Sequence, residues 1–509
     1  MKPNPLFQEI EIKLWLLGSD PSSLAKRLAQ TPVLARSRTS HLSLYNIYFD
    51  TPDQQLRQQR VALRLRRIGS QAKPEWLQTL KTGGNDDSAL SRRGEWEFPV
   101  PGAALTREAL TATPWSDIDP QGRLFASLKP CFVTAFERTI WLVRRQGGHV
   151  VEVALDIGQI EADGQCAPIC ELELELKAGQ PAALFDIAQQ IAHTMAVLPA
   201  NLSKAERGFL LAQDSLDQAQ HAQVPSLTSD LAPLALTQRV LGEMFSQFTA
   251  NLNALRTSDD PEVVHQTRIG WRRFKSGVRF FNKLLAPSVP PSWDPLEPLL
   301  SALGELRDLD VATSHTLPPL SHDYGMGDVR REKTWQTMML ALSQAADLQR
   351  QAVRFALHEA AVGASLLATA QWLDKLSAHG NGVTDQKMPV RHWVKRRILR
   401  LHKKMEQAYQ DAGTPDSWHY VRILAKRLRY AAESLRDLLP KRLAWSCVQR
   451  STLLQSRIGV ARDVAQASAL VARLELDQGI VEFLRGVAVG SAPANSPDDG
   501  LSSNINLAL

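Results

Sequence analysis

Three short stretches of this 509-residue chain place charged side chains at every second position. Glu9, Glu11 and Lys13 alternate with Ile10, Ile12 and Leu14, and Arg64 and Arg66 alternate with Leu63 and Leu65. Glu171, Glu173 and Glu175 alternate with Leu172, Leu174 and Leu176. A period of two is that of a β-strand, so each set shares one face of its strand. Charge on a single strand face is most often turned to water. Two sets of carboxylates, an arginine pair, and Lys81 after Leu77-Gln78-Thr79-Leu80 suit something else, a sheet curled into a barrel whose lumen carries mixed charge. Carboxylates are the hard oxygen ligands that Mg²⁺ or Mn²⁺ prefers, and arginine and lysine hold phosphate oxygens. Such a set fits phosphoryl or nucleotidyl transfer, in which metal and cations neutralise the leaving phosphate while water attacks in line. No Gly-rich loop ending in GK[ST] and no nucleophile elbow is present, so neither a P-loop enzyme nor a serine hydrolase has a motif to stand on.

The elements that must position these residues change character along the chain. Up to about residue 210 the alternation continues, with Trp96 and Phe98 against Glu95 and Glu97, and with turn signals at Lys81-Thr-Gly-Gly-Asn-Asp, Gln146-Gly-Gly-His and Ala162-Asp-Gly-Gln. A helix is expected at about 181 to 196. The first domain is therefore read as 1–211, β-rich with helical additions. A polar stretch at 212–233 reads as a linker. From 234 the apolar residues recur at three and four, as in Leu241, Met244, Phe245 and Phe248, so 234–488 reads as helical, and 489–509 reads as a disordered tail.

Composition bounds the setting. The chain is 44% apolar and 22% charged, ordinary for a globular protein, and too long for one core. It has no secretory signal and no membrane-span pattern, so a cytoplasmic protein with no membrane partner is expected. Four cysteines make no disulfide framework, and Cys166 and Cys170 lack a second pair at zinc spacing. A net charge of +6 leans toward an anionic partner.

The helical half repeats itself. His265-x-x-Arg268-x-x-x-Arg272-Arg273-x-Lys275 recurs as His419-x-x-Arg422-x-x-x-Lys426-Arg427-x-Arg429, and Gly304-x-x-Arg307-Asp308 recurs as Gly459-x-x-Arg462-Asp463. Two blocks matching in order indicate duplication, with repeats at about 234–375 and 389–488. Arg268, Arg272, Lys275 and Arg279 fall on one helical stripe after His265, and Arg422, Lys426 and Arg429 repeat it after His419. The doubled stripe without interleaved acids favours a long polyanion. Nucleic acid is disfavoured, because few aromatic residues interleave for base stacking.

The N-terminal motifs resemble the CYTH domain, the triphosphate tunnel metalloenzymes. The residues that carry the likeness are Glu9-Ile-Glu11-Ile-Lys13, Tyr48-Phe49-Asp50-Thr51-Pro52, Ala62-Leu63-Arg64-Leu65-Arg66-Arg67, Thr79-Leu80-Lys81, Arg93-Gly94-Glu95-Trp96-Glu97, Phe136-Glu137-Arg138, the Glu171 to Lys177 ladder and Ser203-Lys204-Ala205-Glu206-Arg207-Gly208. The duplicated helical half resembles the CHAD domain. The resemblance implies an α+β N-terminal domain built on an eight-stranded antiparallel β-tunnel, followed by an all-α domain of two duplicated helical bundles. It implies that Glu9 and Glu11, with Glu171, Glu173 or Glu175, hold Mg²⁺ or Mn²⁺. It places Lys13, Arg64, Arg66, Lys81, Arg138 and Lys204 on the triphosphate, with Glu9, Glu11, Lys13 and Lys81 the catalytic set. Glu95, Glu97, Glu152 and Asp156 would complete the metal or water network. The implied activity is hydrolysis of inorganic triphosphate to pyrophosphate and phosphate. The implied second role is binding of inorganic polyphosphate through His265, Arg268, Arg272, Arg273, Lys275, Arg279, His419, Arg422, Lys426, Arg427 and Arg429. Cyclic AMP formation of the class IV type, hydrolysis of thiamine or nucleoside triphosphates, and a non-catalytic polyphosphate scaffold are the alternatives.

Overall fold

A computed structural model describes residues 8–18, 20–69, 74–84, 89–286, 288–378 and 389–491. Of the expected tail, 492–509 lies outside the described residues, as do Asn85 and Asp86 of the first turn signal. The alternating stretches are strands: β1 (Gln8–Leu16), β2 (Thr39–Asp50), β3 (Val61–Ile68), β4 (Glu75–Thr82), β5 (Leu90–Val100), β6 (Lys129–Arg144), β7 (Val150–Ala162), β8 (Gln165–Ala178) and a short β9 (Val197–Pro199). They pair in the order β5-β4-β3-β2-β6-β7-β8-β1, and β5 pairs back onto β1, so eight antiparallel strands close into a barrel. Closure removes the free edges and gives the charged faces one shared lumen. The β7–β8 hairpin turns on Asp163 and Gly164, both at positive φ, the backbone a two-residue turn between right-twisted strands needs.

Register then carries the charges around the ring, because residues directly opposite one another in an antiparallel pair point to the same face. Glu11 faces Glu175 and Lys13 faces Glu173 across β1–β8, while Glu9 faces Arg93 across β1–β5. Lys81 faces Glu95, Arg138 faces Asp156, and Glu152 faces Glu175. The alternate residues Ile12, Leu14, Leu172 and Leu174 point outward and are fully buried. They are covered by α1 (Pro21–Ala29) and α5 (Ala182–Ala192), the latter answering the helix expected at 181 to 196. Between them in sequence lie short turns of helix, α2 (Gln55–Gln58), α3 (Trp115–Ile118) and α4 (Leu124–Ser127). A capping box of Ser203 and Glu206 starts α6 (Lys204–Ala212), which lies along β6 and β7.

Irregular chain at 213–232 leads into the helical half: α7 (Pro233–Ala254), α8 (Pro261–Phe280), α9 (Glu297–Val311), α10 (Ser321–Gly325), α11 (Val329–Leu357), α12 (Ala360–Ala378), α13 (Val390–Gln410), α14 (Pro415–Ser434), α15 (Lys441–Arg473) and α16 (Gln478–Gly490). Helices α8 and α14 carry the two His-x-x-Arg blocks and touch each other, as do α9 and α15, which carry the second pair of repeated blocks. The two halves share one apolar core. Val197 and Leu198 of β9 and the buried face of α5 meet α7 and α12 without a break. Gly363 of α12 lies so close that a Cβ there would sit 2.2 Å from the Val197 carbonyl oxygen. Polar ties cross the same seam, from Asn253 to the Pro199 carbonyl (2.8 Å) and from Arg92 to Asp374 (2.8 Å).

Candidate active site in a charged tunnel

The lumen is a cavity of about 500 Å³ whose wall includes Glu9, Lys13, Arg64, Arg66, Lys81, Arg93, Glu95, Glu97, Arg138, Glu152, Glu173, Glu175, Lys177 and Lys204. Its charges fall into four linked groups. In the first, Glu9 accepts from Lys81 (2.8 Å) and Arg93 (2.6 Å), Arg93 reaches on to Glu11 (2.5 Å), and Glu11 also pairs with Lys13. In the second, the Arg138 fork holds Asp156 (2.7 and 2.6 Å) and Glu173 (2.5 Å). Lys204 there joins Asp156 (2.6 Å), Glu173 (3.1 Å) and Glu171. Lys13 links the first two groups through Glu173 at 3.6 Å. In the third, Arg64 lies 3.5 Å from Glu95 and 3.7 Å from Glu97, and Arg66 lies 3.9 Å from Glu97. In the fourth, Lys177 joins Glu175 (2.6 Å) and Glu152 (3.9 Å).

These pairs hold the groups ionised despite burial. Burial opposes the charge on Glu9, but Lys81, Arg93 and Lys13 reverse this and hold its carboxyl well below the usual range. Glu173 follows the same pattern, burial being outweighed by Lys204, Lys13 and Arg138. Burial also disfavours the Lys13 and Lys204 ammonium groups, yet Glu11 for the first and Asp156 with Glu171 for the second raise both above the ordinary lysine value. Glu175 departs from the others: burial pushes it up and Lys177 only partly offsets that. Arg66 is pushed down to about 10 by burial and by Arg64 and Arg138.

The five carboxylates expected to hold metal do not form one constellation. Glu9 and Glu11 sit together, Glu173 joins them through Lys13, Glu175 belongs with Lys177, and Glu171 is fully buried, held by Lys204 and Arg207. The compact acidic triple is Asp156, Glu171 and Glu173, whose oxygens lie within 4.8 Å of one another. Asp156, expected only in the outer network, is thus a central member. Oxygen-only donor sets of this kind, in Glu9 with Glu11 and in the triple, fit a hard divalent cation. Two wall residues, Arg93 and Lys177, and one behind the wall, Arg207, carried no expected role. Arg93 bridges Glu9 and Glu11, Lys177 answers Glu175, and Arg207 answers Glu171. Arg93 shows one available signal, since it continues the period-two alternation of Glu95 and Glu97.

In the helical half the repeated stripes converge only in part. Burial together with Arg307, Arg272, Arg268 and Lys426 pushes the His265 imidazole down to about 3. Burial with Arg272, Arg422 and Arg462 pushes Lys426 down to about 6. Arg307 and Arg462 therefore belong to this cluster, and both sit in the second repeated block rather than in the His-x-x-Arg stripes. His419 lies 3.4 Å from Arg462. Arg427 and Arg279 face one another, and Lys275 lies 5.9 Å over Trp271. Arg273 does not share the cationic face. It is 2% exposed and bonded to Glu243 (3.0 Å), Gln247 and Ser434, because adjacent helical positions point about 100° apart. Arg429 pairs with Glu433 at 3.6 Å and lines a separate cavity with Arg273.

A closed antiparallel tunnel lined by interlocked acids and bases, joined to a helical domain with a duplicated cationic face, defines a two-domain architecture. The family models place it: residues 8–209 match the CYTH domain and residues 239–472 match the CHAD domain, so the chain carries a CYTH domain followed by a CHAD domain. It is 36% identical over 209 residues to the inorganic triphosphatase of Haemophilus influenzae; the match covers 41% of this chain and 56% of that protein, so the chain spans little more than half the relative's length. The CHAD domain of the plant Ricinus communis is similar in structure at 24% identity and a TM-score of 0.47, over 54% of this chain and 91% of that one. A Hippeastrum protein whose structure is described as an adenylyl cyclase candidate with a dominant triphosphatase activity shows 18% identity and a TM-score of 0.28, over 40% of this chain and 95% of that one. No helix among the described residues is long and apolar enough to cross a membrane.

Proposed function

We propose that the tunnel hydrolyses inorganic triphosphate to pyrophosphate and phosphate with Mg²⁺ or Mn²⁺, and that the cationic face of the helical domain binds inorganic polyphosphate. The observation that carries the first part is charge balance. Nine carboxylates (Glu9, Glu11, Glu95, Glu97, Glu152, Asp156, Glu171, Glu173, Glu175) interlock with nine cations (Lys13, Arg64, Arg66, Lys81, Arg93, Arg138, Lys177, Lys204, Arg207). The cavity wall itself carries eight of these cations against six of the carboxylates, which does not balance a buried triphosphate of about four negative charges unless further positive charge enters with it, as a divalent cation supplies. Glu9 with Glu11, and Asp156 with Glu173, would hold that metal, whose chemistry is to polarise phosphate oxygens and acidify water. The chain's own cations do the rest. Arg64, Arg66 and Arg138 present planar forks to the phosphate oxygens, while Lys13, Lys81 and Lys204 act as point charges.

A plain phosphate chain suits the walls better than a nucleotide. The aromatic side chains lining the lumen, Tyr48 and Phe136, are 4% and 5% exposed. Arg138 and Lys204 lie over the Phe136 ring at 5.7 and 5.0 Å, and Tyr48 stacks on Phe132 at 4.6 Å, so both rings already have partners where a base would stack. Support for the second part is the depressed Lys426 and His265, cations and imidazole crowded by arginines as in a site built for an anion. The test is incubation with triphosphate and each metal. Phosphate release is expected, and no release with either metal overturns the reading, while ATP yielding cyclic AMP in place of free phosphate would transfer it to the cyclase alternative.

A further inference from the structure

One guanidinium of the helical domain reaches the inner end of the barrel. Trp15 lies on the same face of β1 as Glu11 and Lys13, directly opposite Glu171, and is 7% exposed. Arg207 of α6 lies 4.3 Å from the centre of its ring, and Arg256, from the loop after α7, lies 4.1 Å from it. Both guanidinium groups therefore pack on the same indole. From Arg207 the contacts run inward: it donates to Glu171 (3.2 Å) and to the Pro168 carbonyl (2.5 Å). Glu171 holds Lys204, and Lys204 lines the lumen against Asp156 and Glu173.

Arg256 takes its position from the helical domain. Arg354 of α11 donates to the carbonyls of Leu255 (3.2 Å) and Ser258 (3.0 Å), Thr257 bonds Asp217, and Asp260 caps α8. The charged and titratable groups facing Arg256 are Arg207, Asp217, Cys170 and Glu171. Burial and Arg207 push it down to about 10, so it remains a cation at neutral pH, kept beside a like charge by the indole that both groups contact.

We infer that Arg256 is a positioning residue for the tunnel: by bracing Trp15 it keeps Arg207 on Glu171 and so sets where Lys204 presents its ammonium to the phosphate chain. The tunnel site is thereby completed by the helical domain. This rests on the triphosphatase reading, and its test separates the two. In the full chain, Arg256→Ala is expected to raise KM for triphosphate roughly three- to tenfold with kcat within about twofold, since a binding lysine and not the reacting centre is displaced. Arg256→Lys, which keeps a cation over the ring, is expected to recover most of that loss. Long-chain polyphosphate binding and the thermal midpoint serve as controls and are expected to stay near wild type. An unchanged KM in Arg256→Ala overturns the inference, as does a fall in kcat that Lys fails to recover and that tracks a lowered midpoint. If the wild type shows no turnover, the triphosphatase reading fails by itself. The inference is then read from calorimetric titration with triphosphate and Mn²⁺, where an unchanged Kd in Arg256→Ala overturns it.

Discussion

Replacing Glu9 by Gln should move two properties of the tunnel in opposite directions. Glu9 is ionised throughout the neutral range because Lys81, Arg93 and Lys13 outweigh its burial, so the substitution removes a full negative charge and makes the lumen more positive by one. A unit charge about 6 Å from a phosphate, at an effective dielectric of about 20, is worth about 3 kcal/mol; screening in a half-open cavity reduces that to about 1.4 kcal/mol, or tenfold. Metal-free affinity for triphosphate should therefore rise about tenfold. Metal-dependent turnover should fall by a factor on the order of a thousand, because a carboxylate proposed to hold the metal is gone. The fold should survive, since Lys81 keeps Glu95 at 3.0 Å and Arg93 keeps Glu11 at 2.5 Å. The cost is then about 1–2 kcal/mol rather than the 3–5 kcal/mol of an orphaned buried charge. Calorimetric titration with triphosphate in chelator, beside phosphate release with Mn²⁺, measures both. A variant that loses affinity without metal as well as turnover refutes the charge-balance reasoning.

Three further outcomes follow from particular contacts. Lys426 titrates near 6 without ligand, and a bound polyanion must raise it; binding between pH 6 and the ordinary lysine range therefore takes up a proton and weakens as pH rises. Calorimetry at pH 8 in buffers of different ionisation heat reads that uptake, and none would refute it. Arg272→Ala should weaken polyphosphate binding and flatten its salt dependence, whereas Arg273→Met should leave binding near wild type and cost about 3 kcal/mol of stability by stripping a buried network; the reverse ranking would place the wrong arginine on the anion. Gly363→Ala should lower the unfolding midpoint by an amount worth about 1–3 kcal/mol, because its Cβ would collide with the Val197 carbonyl and push α12 off β9. An unchanged midpoint would mean that the two halves are not packed as described.

Much of the barrel was legible because period-two alternation is a local property: Glu9-Ile-Glu11-Ile-Lys13 and the Glu171 to Glu175 ladder declare their charged faces without reference to any partner. The duplicated basic blocks were legible for a similar reason, since a repeat is seen by comparing the chain with itself. The family likeness supplied the closure into eight strands and the triphosphate roles, which alternation by itself leaves open. What neighbours decide was not legible. Arg93 sits in the same motif as Glu95, yet its place between Glu9 and Glu11 follows from β5 pairing back onto β1, a contact across more than 80 positions. Arg273 reads like Arg272 until helix packing turns it onto Glu243.

Local pattern along the chain therefore sets which strand or helix face each charged side chain occupies and the kinds of ligand those groups can hold. How they are shared out came from the packing of distant elements. It put Asp156 with Glu171 and Glu173, it interlocked the carboxylates and cations of the barrel interior, and it carried Arg256 across the domain seam onto Trp15. The physical reason is that periodicity sets a side chain's direction within its own element, whereas the partner it meets depends on register, closure and packing between elements far apart in the chain.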